Sequence, residues 1–172
     1  QATLPVAKGG LGLQPATEVV LAGYLSSVNA TTGIVQSLLP SNPSGQQNPY
    51  YDSALLEWKQ RSGLVHLPQI PIFQSEWDKP LYEVRFNQQL QSATSEAERA
   101  RLLAVSAESA SDWLHAIPVP SLGLYLDPMS LHIACGLRLG STLCQTHECE
   151  CGNIVEPNEG HGLACKKSRG RK

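Results

Sequence analysis

The chain has 172 residues, 41% hydrophobic and 16% charged, enough to bury one real core. No apolar run is long enough to cross a bilayer, and the start lacks the basic and apolar regions of a secretory signal. These features exclude a membrane-spanning reading and lead us to expect an intracellular chain, cytoplasmic or nuclear. The formal charge of −2 hides an asymmetry. Residues 1–165 hold eight Lys or Arg against fifteen Asp or Glu, a balance of −7, whereas Lys166, Lys167, Arg169, Arg171 and Lys172 add +5.

The chain starts at Gln1 and not at Met, as expected for a segment of something longer. Residues 1–14 read as an extended, glycine-rich lead. Pro15 to Glu18 open a helix through Val19, Val20, Leu21, Tyr24, Leu25 and Val28, apolar at helical spacing. Asn29-Ala30-Thr31 has the form of a glycosylation acceptor, but with no secretory route it reads as ordinary loop. A shorter helix around Ile34, Val35, Leu38 and Leu39 stops at Pro40, and 41–48 is a loop rich in Ser, Asn, Gln, Pro and Gly. Tyr50 to Gln60 predicts a helix offering Leu55, Leu56 and Trp58 to the core, with Asp52 as its N-terminal cap. Pro68 and Pro71 argue against helix or central strand over 66–73.

Trp77 to Leu90 predicts another helix, with Pro80 in its first turn. Ser95 and Glu98 form a capping box for the longest helix, whose stripe is Ala100, Leu103, Ala104, Ala107, Ala110 and Leu114. After the turn-rich 118–126, Asp127 as cap and Pro128 at the first position start a helix ending near Gly140. Trp58, Trp77 and Trp113 fall one to a helix, as core anchors do. No strand pattern of any length appears. The expected fold is mainly α: an irregular helical bundle over 15–141, a zinc-knuckle module over 142–165 and a basic tail over 166–172.

Familiar catalytic patterns are incomplete. Gly10-x-Gly12 has no third glycine, and no Gly-Lys-Ser/Thr occurs, so a phosphate loop is disfavoured. Tyr50-Tyr51-Asp52-Ser53 resembles the Tyr-x-Asp-Asp of polymerases with its second carboxylate replaced by Ser53, leaving one acid where a two-metal site needs two. His66 and His115 have no nucleophile in a recognisable context. The expectation is a chain that is not itself an enzyme.

All five cysteines lie at or after residue 135. Cys149-x-Cys151 and His161-x3-Cys165 supply three thiolates and an imidazole in two pairs, a set that suits tetrahedral Zn2+. Gly152, Gly160 and Gly162 allow the tight turns a metal-wrapping loop needs. Cys144-x2-His147 is a second plausible pair, so six candidates compete for four positions. A disulfide reading is weakened by the odd count and by the two histidines among the cysteines. Cys135, between Ile133 and Leu137, reads as a core cysteine. The cations after Cys165 suit a phosphate backbone, and equally a solvated tail or a targeting signal.

Two groups of motifs resemble one source. Leu4-Pro-Val-Ala-Lys-Gly-Gly-Leu-Gly-Leu13 is similar to the segment that follows the reverse transcriptase domain in non-LTR retrotransposon polyproteins. Trp113-Leu-His-Ala-Ile-Pro118, Leu122-Gly-Leu124, Cys135-Gly-Leu-Arg-Leu-Gly140, Cys149-Glu-Cys-Gly152 and His161-Gly-Leu-Ala-Cys-Lys-Lys167 resemble the region before the C-terminal restriction-like endonuclease of these elements. The order of the groups agrees; residues 40–95 resemble little. The resemblance implies Cys149, Cys151, His161 and Cys165 as ligands, with Cys144 and His147 as neighbours. It further implies a knuckle and basic tail that grip RNA or DNA, flanked by polymerase and nuclease domains. The polymerase and nuclease acids are absent from these 172 residues, so the expected role is a non-catalytic connector. The alternative is a free-standing zinc-stabilised protein-interaction module without nucleic-acid binding; a nonfunctional remnant is the third reading.

Overall fold

A computed structural model describes residues 1–39, 48–157, 161 and 165–167. The protein is mainly α: six α-helices and one two-stranded antiparallel sheet among the described residues. It forms two compact units, Gln1–Ala93 and Thr94–Lys172, a division that falls inside the 15–141 stretch expected to form one scaffold.

The first unit is built from α1 (Ala16–Leu38), α2 (Pro49–Ser62) and α3 (Gln74–Ser92). Its core joins Leu21, Ala22 and Leu25 of α1 to Trp58 of α2 and to Trp77 and Leu81 of α3. The two indoles meet edge to face, centroids 4.9 Å apart at 76°, the geometry favoured by the ring quadrupole. Burying an indole leaves an N–H to satisfy. Trp58 donates to the Trp77 carbonyl at 2.9 Å and Trp77 donates to that of Pro71 at 2.8 Å. The irregular 63–73 segment thus supplies an acceptor to the core. Two of the three tryptophans expected as anchors are fully buried.

Several expectations are corrected here. The lead is not extended: Val6–Lys8 is a 3-10 turn, and Leu4 is fully buried. Gly10 lies so close to the Leu4 backbone that any Cβ would overlap its carbonyl, which explains a glycine there. The helices expected either side of residue 30 are one, because Gly33 lowers helix propensity without preventing the helix. Asn29 is consequently helical, donating to the Leu25 carbonyl at 2.7 Å and to the Tyr51 hydroxyl at 3.0 Å. The α2 cap is Asn48, whose side chain accepts from the Tyr50 and Tyr51 amides, with Asp52 one turn in. Leu56 points to solvent. Helix α3 begins at Gln74, so Pro80 lies inside it and cannot donate to the Glu76 carbonyl.

The second unit contains α4 (Glu96–Val105), α5 (Asp112–His115), α6 (Pro128–Leu139) and strands β1 (His147–Glu148) and β2 (Ile154–Val155). Ser95 caps α4 through the Glu98 amide at 3.1 Å, while the Glu98 carboxylate accepts the Thr94 amide at 2.9 Å. The expected long stripe to Leu114 is broken. Helix α4 ends at Val105, and Ser109 takes φ 62°, so Leu102 is buried while Leu103 is exposed.

Helix α6 starts and stops as expected, with Asp127 accepting the Met129 and Ser130 amides and Gly140 left-handed at φ 69°. Arg138 is buried, donates to Ser111 Oγ at 2.9 Å, and its carbonyl accepts from Arg101 at 2.6 Å. Trp113 is only half-buried and walls an apolar cavity of about 460 Å³. Cys135 is also half-buried, with Ile133 and Leu137 exposed beside it, and so is not a core cysteine.

Candidate metal centre

Strands β1 and β2 pair His147 with Val155 and Glu148 with Ile154, and the connecting loop carries Cys149 and Cys151. The loop closes because the Cys149 amide donates to the Asn153 carbonyl (2.9 Å) and the Gly152 amide to that of Cys149 (2.8 Å). The reversal places Gly152 at φ 87°, a region costly for residues with a Cβ. In the second pair the Cys165 amide donates to the His161 carbonyl at 2.8 Å.

These two local structures bring four ligand atoms together. The donor atoms of Cys149, Cys151, His161 and Cys165 all lie within 4.8 Å of one another, close enough to hold one metal ion. The sulfurs of Cys149 and Cys165 are 3.7 Å apart, and Cys151 Sγ is 3.4 Å from His161 Nε2. Cys165 is buried and the other three are half-buried. Val155 is buried as well. Its only sequence signal is the β-branched pair Ile154-Val155 after the loop, too short to read as a strand.

The amides of the loop also tune the thiols. The Asn153 backbone N–H, followed by hydrogen bonding to Cys149, Cys165 and His161, lowers Cys151 to about 7 despite opposing desolvation. At Cys149 the Cys151 amide pulls the thiol down, but the shared hydrogen bonds with the Cys151 and Cys165 thiols, together with desolvation, leave it raised. One thiolate therefore forms readily, and a cation would draw off the remaining protons, since the thiolate is the ligating form.

The alternates do not join the cluster. Cys144 is half-buried outside it, and His147 is exposed on β1 with Nδ1 2.9 Å from the Gln145 carbonyl. Glu148, Glu150 and Glu156 are exposed around the hairpin. Of the basic tail, Lys166 and Lys167 are exposed, and Lys167 donates to the Glu150 carbonyl at 2.9 Å. Arg169, Arg171 and Lys172 lie outside the described residues, as do Gly160 and Gly162. His66 and His115 are exposed and belong to no metal-ligating group among the described residues. No helix among the described residues is long and apolar enough to cross a membrane. No family model, curated protein or solved structure matches the chain.

Proposed function

We propose that Cys149, Cys151, His161 and Cys165 bind Zn2+ and that the resulting knuckle, with Lys166, Lys167, Arg169, Arg171 and Lys172, contacts RNA or DNA. The observation that carries the reading is the convergence of these four donor atoms within 4.8 Å. A tetrahedral ion with Zn–S bonds of ~2.3 Å and a Zn–N bond of ~2.05 Å sets S···S edges of about 3.8 Å and S···N edges of about 3.5 Å. The 3.7 and 3.4 Å separations fit those edges. When bound, zinc supplies a structural crosslink, all four positions being filled by protein, so no coordination site is left for water or substrate.

In this reading the chain is a non-catalytic connector of a retrotransposon-type polyprotein. It lies between a reverse transcriptase and a restriction-like endonuclease, in the order that its two motif groups resemble. The five tail cations follow the last candidate ligand within seven residues. If all five neutralise phosphates, log affinity falls against log salt with a slope of about −3.5 on single strands and about −4.5 on duplex.

The test is oligonucleotide affinity of the zinc-loaded chain across a salt series, beside a variant with all five cations changed to Gln. Loss of most of the slope in the variant supports the reading; a flat response in the parent overturns it. The acidic balance of residues 1–165 and the three exposed glutamates around the hairpin favour a second reading, a zinc-stabilised protein-interaction module. That reading predicts the flat response.

A further inference from the structure

The four candidate ligands fall into two close pairs. The sulfurs of Cys149 and Cys165 are 3.7 Å apart, while Cys151 Sγ lies 3.4 Å from His161 Nε2. Only the first pair consists of two atoms that oxidation can join. A disulfide needs its sulfurs at ~2.04 Å, so Cys149 and Cys165 have about 1.7 Å to close. They are 16 residues apart in the chain, which leaves a wide ring. Joining Cys149 to Cys151 would instead close a ring across one residue, where the Cys149 amide and carbonyl already hold the turn through Asn153 and Gly152.

Exposure differs within the pair. Cys149 is half-buried, and Cys165 is buried at 6% exposed. A small oxidant in solvent therefore meets the Cys149 sulfur first, with the Cys165 sulfur beside it. That is the arrangement in which oxidation ends at a disulfide and does not run on to sulfinic acid. Cys135 and Cys144 are half-buried too but stand outside the cluster.

We propose that the cluster is a redox switch, in which a peroxide joins Cys149 to Cys165 as a disulfide and the metal is given up. The inference rests on the reading that these four residues bind Zn2+. In the first step the Cys149 thiolate attacks one peroxide oxygen and the O–O bond breaks, leaving a sulfenic acid and a hydroxide that takes a proton to become water. In the second the Cys165 thiolate attacks the Cys149 sulfur; the S–S bond forms, the S–O bond breaks, and the departing hydroxide takes a second proton. Each sulfur has lost one electron, and the peroxide has gained two and become two waters. Cys151 and His161 are then the only ligands left, two where a structural zinc takes four. A dithiol reductant reverses the exchange by returning both thiols.

The experiment treats the zinc-loaded full chain with hydrogen peroxide and follows released zinc with a colorimetric chelator. Cysteine pairing is then mapped by mass spectrometry after cleavage at glutamate. Glu150 separates Cys149 from Cys151, and Glu159 separates both from Cys165, so the three pairings are distinguishable. Cys135→Ser/Cys144→Ser, which removes the other two thiols and keeps all four ligands, is treated in parallel. The expected result in both chains is release of about one zinc for each disulfide formed between Cys149 and Cys165, with zinc taken up again after dithiothreitol. Zinc that stays bound after that disulfide has formed overturns the proposal. So does zinc released with Cys149 joined to Cys151, with a disulfide to Cys135 or Cys144, or with sulfinic acid alone. A reduced chain that holds no zinc before any peroxide is added overturns the zinc reading itself and the exchange with it; zinc content at the start tells that failure from the others.

Discussion

Withholding or chelating the proposed zinc tests the C-terminal module most directly. Among the described residues of 142–167, only Val155 and Cys165 are buried apolar side chains. Each contributes about 1.5–3 kcal/mol at most. Structural zinc in peptides of this size supplies about 10–16 kcal/mol, so a zinc bound as proposed would outweigh the burial of both side chains by a factor of roughly three. Chelation should therefore unfold residues 144–165. The first unit should persist, because its core is built from α1, α2 and α3. The assay is zinc stoichiometry with amide exchange before and after chelation, on the parent chain and on Cys151→Ser and Cys165→Ser. The expected result is one zinc per chain, lowered by either substitution, and loss of protection confined to 144–165. Stoichiometry unchanged by both substitutions would refute the ligand set. A loss of helix signal on chelation as large as full unfolding would refute the separation of the module from the body.

Three further outcomes concern the first unit. Trp58→Phe keeps most of the packing but removes the indole donor to the Trp77 carbonyl; a cost of about 1–2 kcal/mol should lower the melting temperature of this unit by roughly 4–15 °C. Two alanine substitutions should act in opposite directions in urea unfolding. Gly10→Ala collides with the Leu4 backbone and should cost at least about 1–3 kcal/mol, whereas Gly33→Ala meets nothing within 4 Å and should stabilise by about 0.5–1 kcal/mol. Asp78 is raised above its ordinary value chiefly by burial, against hydrogen bonds from Gln74 and Tyr82. Its folded form holds the proton more tightly than the unfolded chain, so its contribution is full below about pH 3.8 and is lost as pH rises through the folded value. Relative to the parent, Asp78→Asn should accordingly look better at pH 7 than at pH 3, and the reverse order would contradict that sign.

What could be read locally was read from the sequence, because the physics involved is local. The Asp127-Pro128 start and Gly140 stop of α6 depend on cap chemistry within a few residues. The two candidate ligand pairs are likewise close neighbours in sequence, Cys149 with Cys151 and His161 with Cys165. Where elements end in mid-chain was not legible. The continuation of α1 through Gly33 and the break of α4 at Val105 turn on small differences in propensity that local context overrides. Tertiary structure decided the rest. Hairpin pairing of His147 with Val155 leaves His147 outside the loop and brings Cys149 and Cys151 close to His161 and Cys165, the four residues that the family resemblance implies. Packing decided which tryptophans anchor a core, since an indole is buried only where its N–H finds an acceptor. Trp58 finds one at Trp77 and Trp77 at Pro71, while Trp113 remains half-exposed against an apolar cavity.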